Sequence, residues 1–339
     1  MLFKDRKRKK YAITSKEGIE EMEKIEIGGI WQYIYIRGEN RENPVILFLH
    51  GGPGCSMMPL IPKFQFDWEK DFTVVQWDQR NAGKTLTANK VEEVSETTTM
   101  TQMLIDTLEV VRYITKKLGK EKLIILGHSW GSVLGTLFTQ KYAQYVEYYI
   151  GVGQVVSFRE NETVGFKKVM TCATNAGNTK DIEKLKALEP YPAPVYMDNE
   201  LKRLMEVRKV QAKYKLAMAP NFKFISSIFT SPYMTFKEGK SFTYDVGKTY
   251  KKLWPFLYDQ YGLNESNIGY KVPVIIIMGE EDWQTPYPLA KAHFKKIRAP
   301  YKKFITIPLA GHLTMMDQPK VFTKALLEVD RTLRNKAYK

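Results

Sequence analysis

Ser129 stands between two glycines in Gly127-His128-Ser129-Trp130-Gly131, with an apolar run, Leu123–Leu126, before it and a helical pattern (Val133, Leu134, Leu137, Phe138) after it. This is G-x-S-x-G between a strand and a helix, the context in which a sharp turn pushes a serine hydroxyl out of the backbone. The glycines lack the Cβ atoms that would collide where the strand and helix backbones approach. The helix N-terminus favours negative charge developing beside that hydroxyl. A serine hydroxyl is a weak nucleophile on its own and needs a base, and the base needs an orienting carboxylate. His312, in Ala310-Gly311-His312, and Asp282, in Gly279-Glu280-Glu281-Asp282, both follow apolar strand-like runs and supply those two groups. Asp282 is chosen over Glu280 and Glu281 because it stands furthest past its strand. Of the other histidines, His50 and His128 flank glycine turns and His293 falls in a helical stretch. Acyl transfer also needs two donors for the carbonyl oxygen. The N–H of Trp130 is one, and Gly52, in His50-Gly51-Gly52-Pro53-Gly54, is the expected second.

The elements that must hold these residues alternate in type. Lys24–Arg37 alternates apolar and polar residues around Gly28-Gly29, which predicts a hairpin, while residues 11–22 read as polar and peripheral. Pro44–Leu49 and Phe72–Trp77 are apolar runs of the kind buried on both faces of a sheet. Thr98 or Thr99 caps a helix that runs to Gly119. The Ser129 strand and helix follow, then a strand near Tyr148–Val156. From Ser157 to Tyr270 the rhythm breaks into Lys-rich helical segments with aromatic clusters, among them Tyr191, Tyr196, Tyr214, Met218, Tyr233 and Trp254. It resumes with strands at Val272–Met278 and Phe304–Ile307, a helix at Pro286–Ile297 between them, and a helix at Pro319–Arg334. Strands alternating with helices imply an α/β architecture with a largely parallel sheet, whose chemistry sits at the strand C-termini. All the residues singled out lie there.

With 339 residues, 44% of them apolar and 13% aromatic, the chain can bury a sizeable core. Its net charge of +15 raises nucleic acid or anionic membrane as partners. The lysines are spread along the chain, however, the one dense cluster is Lys4–Lys10, and no nucleic-acid-binding motif accompanies it. No apolar stretch reaches membrane-span length. Two distant cysteines, Cys55 and Cys172, fit a reduced, cytoplasmic setting. No metal or nucleotide motif appears, so the reaction is expected to need neither cofactor nor metal.

His50-Gly51-Gly52-Pro53-Gly54, the Asp78-Gln79-Arg80-Asn81-Ala82-Gly83 segment, the Ser129 pentapeptide, Asp282 and His312 come in the order found in α/β-hydrolases. Together they resemble the proline iminopeptidase-like group of that superfamily, over about residues 25–156 and 271–335. The resemblance implies an α/β-hydrolase fold with core residues 1–156 and 271–339 and a helical cap at 157–270. It implies a triad of Ser129, Asp282 and His312, and an oxyanion site at Gly52 and Trp130. The implied reaction is acyl-enzyme cleavage of a small-molecule or short-peptide substrate, by an aminopeptidase or, alternatively, a carboxylesterase of small or medium acyl esters. A reading of another class is a binding protein that keeps the fold without activity. Two departures stand out. Asn81 replaces the glycine of the group's DQRG motif, and the cap lacks the W-x-x-W-E context that holds a substrate amine. Glu160 and Glu206, among the cap acids Glu160, Glu162, Glu200 and Glu206, are taken as the candidate substrate-binding carboxylates.

Overall fold

Apolar, β-branched runs form eight strands in the computed structural model, which describes residues 8–195, 197, 199–217, 222–244, 246–250, 252–263 and 268–337. Most of the Lys4–Lys10 cluster, together with Tyr196 and Met218, lies outside the described residues. The strands are β1 (Ile19–Ile27), β2 (Ile30–Gly38), β3 (Val45–Leu49), β4 (Thr73–Asp78), β5 (Leu123–His128), β6 (Val146–Val152), β7 (Val274–Gly279) and β8 (Lys302–Ile307). They make one sheet in the order β1-β2-β4-β3-β5-β6-β7-β8. Pairing is antiparallel from β1 to β2 and from β2 to β4, and parallel from there on. The hairpin turns at Gly28 and Gly29, both at positive φ (52° and 75°), as a two-residue hairpin turn requires. Its first strand starts five residues earlier than the alternation predicts. At this edge strand only Ile19 and Ile27 are buried, so the residues between them carry no apolar signal.

Successive residues of the central strands serve opposite faces. Leu47, Leu49, Ile125 and Ile276 pack on one side with α3 (Met100–Leu118) and α4 (Trp130–Lys141), after α1 (Gly83–Ala88) and α2 (Val91–Thr97) have returned the chain. Ile46, Phe48, Ile124 and Ile275 pack on the other side against Phe64, Trp68 and the last helix. The Thr99 hydroxyl caps α3 by accepting from Gln102 N at 3.2 Å, and Gly119 ends it in the left-handed conformation.

Between β6 and β7 the chain forms α5 (Phe158–Asn175), α6 (Thr179–Lys186), α7 (Glu200–Lys213), α8 (Phe222–Phe229) and α9 (Phe236–Tyr244). The first three share an apolar cluster of their own, built on Phe166, Val169, Leu185, Val207 and Val210, with Tyr191 in it. The end of this segment packs into the core through Ile228, Met234, Leu253 and Trp254 and is tied to it by polar contacts. Lys84 on α1 pairs with Glu238 on α9 at 3.0 Å, and Asn81 Nδ2 donates to Thr249 Oγ1 at 3.1 Å. The residue that departs from DQRG is therefore a buried tie between core and insertion. Helices α10 (Tyr287–Lys296) and α11 (Pro319–Ala337) complete the chain.

Helix α4 lies so close to β3 that a Cβ on Gly131 would stand 1.9 Å from the carbonyl oxygen of Leu49. Gly131→Ala should therefore cost at least about 3 kcal/mol of stability, read from chemical denaturation. Near-native stability would mean that α4 can retreat from the sheet.

Candidate active site

The turn from β5 into α4 puts Ser129 at φ 54°, ψ −121°, a backbone conformation that costs a non-glycine residue energy unless its surroundings enforce it. They do so on every side. Ser129 N donates to Val152 O at 2.9 Å, and the Ser132 hydroxyl donates to Ser129 O at 2.6 Å. A Cβ on Gly127 would meet Gly131 O at 2.3 Å, and one on Gly51 would stand 3.1 Å from Ser129 Cβ. The elbow and the glycine loop thus touch backbone to backbone, and the N-terminal end of α4 faces the same space.

His312, beyond β8, and Asp282, beyond β7, meet across the ends of their strands. His312 Nδ1 donates to Asp282 Oδ2 at 2.9 Å, since an ionised carboxylate only accepts. The Thr285 hydroxyl donates to the same oxygen at 2.8 Å, while Oδ1 accepts from the backbone N–H groups of Gln284 and Thr285 at 3.0 and 2.9 Å. Burial alone would raise the Asp282 pKa. The nearby His312 ring and the Thr285 donors outweigh it and hold the carboxyl below its ordinary range. Glu280 and Glu281 are exposed.

His128 and His50 hold backbone. His128 Nε2 donates to His312 O at 2.9 Å, with the two rings 4.9 Å apart. His50 Nδ1 donates to Gly51 O at 2.9 Å, and its Nε2 accepts from Gln79 N at 3.2 Å. Gln79 joins the two donor-bearing segments. Its Nε2 donates to His50 O at 3.1 Å, and its Oε1 accepts from Trp130 Nε1 at 2.9 Å. Beneath it Arg80 is clamped on Asp106 by two bonds of 2.8 Å. Gly52 sits at φ 117°, where a Cβ would fall 2.7 Å from the N atoms of Gly54 and Cys55. Trp130, first residue of α4, has no intrahelical acceptor for its N–H. Both Gly52 and Trp130 border the same cavity as Ser129 and His312.

That cavity has a volume of about 440 Å³. Helix α5 presents Phe158, Asn161 and Glu162 to it, and α7 presents Leu201, Leu204, Met205 and Arg208, each set at helical i, i+3, i+4 spacing. Trp254 closes another side. Glu160 and Glu206 do not border it. Glu160 is exposed in the first turn of α5, and Glu206 pairs with Lys209 on the outer face of α7. The acid of this segment that does border it is Glu162, whose side chain is only 2% exposed. The signal for Glu162 was its helical register with Phe158. An acid read singly among lysines does not show which side of a helix it takes. Among the described residues, no cluster of His, Cys, Asp and Glu is arranged to hold a metal ion, and no helix is long and apolar enough to cross a membrane.

Residues 44–171 match the family model of the alpha/beta hydrolase fold. The chain is 25% identical to the probable aminopeptidase YbaC of Bacillus subtilis, over 93% of this chain and 97% of that one. It is 31% identical to the proline iminopeptidase of Lactobacillus delbrueckii subsp. lactis over 34% of this chain and 37% of that one. Among solved structures, a proline iminopeptidase-related protein of Thermus thermophilus superposes with a TM-score of 0.62 at 22% identity, covering 93% of this chain and 98% of that one. The sheet order, the elbow and these likenesses define the α/β-hydrolase fold. Within that fold the chain is proline iminopeptidase-like, a hydrolase.

Burial pushes the His50 pKa down to about 4 and, with the neighbouring His312, the His128 pKa down to about 3. In the unfolded chain both return to an ordinary value near 6.5. Between about pH 6.5 and 4 the unfolded chain therefore binds protons that the native protein refuses. The stability these sites contribute is complete above pH 6.5 and is lost as pH falls. Tm should drop from pH 7 to pH 5, and His128→Asn should flatten that slope. A Tm independent of pH over this range would contradict the buried, neutral state of both rings.

Proposed function

We propose that the protein is a serine hydrolase working through an acyl-enzyme, with Ser129 as nucleophile, His312 as base and then acid, and Asp282 as the orienting carboxylate. The observation that carries this reading is the 2.9 Å bond between His312 Nδ1 and buried Asp282. It leaves His312 Nε2 as the basic nitrogen in the cavity that Ser129 also borders. As Ser129 Oγ attacks the substrate carbonyl, its proton passes to Nε2 and the imidazolium is balanced by Asp282. The oxyanion takes hydrogen bonds from the N–H groups of Gly52 and Trp130. Collapse breaks the acyl bond, and the leaving group departs with the proton from His312. Water then attacks the ester on Ser129 by the same route and frees the acid. No metal or cofactor takes part in these steps.

Residues 157–270 serve as a cap that supplies the walls of the acyl pocket. The substrate reading is an aminopeptidase of small aminoacyl or short-peptide substrates, supported by the likeness to a probable aminopeptidase along nearly the whole chain. Glu162 is the cap acid that borders the cavity, where a substrate ammonium could not sit unpaired. A second reading, a carboxylesterase, is supported by the engagement of Glu162 with Arg208 and with the Tyr191 hydroxyl at 2.6 Å. Both cysteines are free thiols, in keeping with a cytoplasmic enzyme.

Ser129→Ala should abolish labelling by a fluorophosphonate probe and lower kcat by roughly 10⁴- to 10⁶-fold while the protein stays folded. Undiminished turnover would remove Ser129 from the mechanism. Asp282→Asn should lower kcat by about 10⁴-fold by favouring the wrong imidazole tautomer. Substrate class is tested separately. An aminopeptidase cleaves an alanyl or prolyl arylamide and spares its N-acetylated form. An esterase turns over butyryl esters and neither arylamide.

A further inference from the structure

Arg208 is a cation in the cavity wall that the proposed chemistry does not use. It lies on α7 beyond Leu204 and Met205, with its side chain 13% exposed. Its Nη atoms donate to both oxygens of Glu162 and to Gln211 Oε1 at 2.7 Å. Its Nε–H finds no acceptor among the described residues. The carboxylate of Glu162 is fully engaged, with Oε1 on Arg208 and Oε2 on Arg208 and Tyr191. Asn161 precedes it in the same wall. Asn161 is 4% exposed, and its Oδ1 has no partner among the described residues. Lys209 stands at the rim, paired outward with Glu206. The polar end of an otherwise apolar cavity therefore offers a guanidinium edge, a side-chain amide and a rim ammonium, while its acid is already bound.

We propose that Arg208, with Asn161 beside it, receives a carboxylate of the bound substrate, so that the cavity selects small substrates bearing a free carboxylate. The guanidinium keeps its charge and is held in place by Glu162 and Gln211. Its Nε edge can make the paired, planar contact that a carboxylate accepts. A carboxylate entering so apolar a space needs such a counter-charge; it can accept from Asn161 Nδ2 but not pair with Oδ1, which is itself an acceptor. Lys209 at the mouth and the net charge of +15 draw anions toward it. Two sources present this group: a dicarboxylic acyl chain, or the C-terminus of a short peptide whose N-terminal residue is released.

The proposal rests on the serine-hydrolase reading for its turnover assay and on binding for an independent one. Two matched pairs are compared at low salt: glutaryl with pentanoyl aryl esters, and alanylalanine with alanylalanine amide. The acid member of one pair should be preferred by about 10- to 100-fold in kcat/KM, and the pair that shows it identifies the source. Glu162→Gln, which frees Arg208 and removes the opposing charge, should enlarge that ratio about tenfold. The double variant Glu162→Gln/Arg208→Met leaves no buried charge alone and should bring the ratio close to one. Glu162→Gln/Arg208→Lys should restore part of it. Glutarate should raise the Tm of Ser129→Ala, but not of that protein carrying the double substitution as well. Equal turnover within both pairs, or ratios indifferent to Glu162→Gln, overturns the proposal. Failure of the wild type to label with fluorophosphonate instead removes the reading beneath it.

Discussion

Close approach of backbone to backbone is the constraint on which the rest of this molecule depends. Gly127, Gly131 and Gly135 recur every four residues from the end of β5 into α4. A Cβ at each would meet Gly131 O at 2.3 Å, Leu49 O at 1.9 Å and the Tyr149 ring at 2.8 Å. A helix pressed so tightly on the sheet forces the turn before it, and the turn forces Ser129 to positive φ. Glycine in the helix interior costs about 1 kcal/mol relative to alanine, a cost the packing against β3 and β6 offsets. The same approach brings the Gly51-Gly52 loop, which leaves β3, to within contact of the elbow. The proposed nucleophile and the proposed oxyanion donors are thus placed by one packing event.

Buried charge is handled by two different means around that event. Where an ion must persist, it is saturated with donors: Asp282 accepts from His312, Thr285 and two backbone N–H groups, and Asp106 from Arg80, Gln32 and Gln102. Where an ion would be unpaired, burial keeps the group neutral, as in His50 and His128. The neutral His50 ring holds one donor and one acceptor and so bridges Gly51 O and Gln79 N. His128 steadies the carbonyl of His312, and His50 fixes the loop that carries Gly52.

This division explains what the residue pattern disclosed. The core was legible because its signals are local: apolar runs between glycine turns, a Thr99 cap, a Gly119 stop, and polar residues just past strand ends. The start of β1 was not, since a sheet-edge strand with one wet face carries little apolar alternation. Nor could the order of acids in the insertion reveal its inner wall. Glu160 and Glu162 differ by two residues, about 200° of helical turn, so one faces solvent and the other the cavity. Only the register set by Phe158 and the opposite face of α7 separates them. Arg208 was hidden for a similar reason: it acts through a partner far away in the chain, Glu162.

Chemistry and substrate choice are consequently adjustable to different degrees. A change at Gly131 meets a carbonyl oxygen that cannot move without the sheet, and one at Gly52 meets two backbone nitrogens. A change at Leu201, Leu204 or Met205 meets side chains across a cavity, and Met205 is already 43% exposed. The insertion is anchored to the core through Lys84–Glu238 and Asn81–Thr249, near its C-terminal end. Helices α5 and α7, which carry Glu162, Asn161 and Arg208, contribute Phe166, Val169, Val207 and Val210 to the insertion's own apolar cluster, while Phe158, Leu201 and Leu204 pack against the main core. The backbone contacts that hold Ser129 come from Val152, Ser132, Gly127 and Gly51, none of them on those two helices, so cavity-facing side chains there are constrained by packing and not by the elbow.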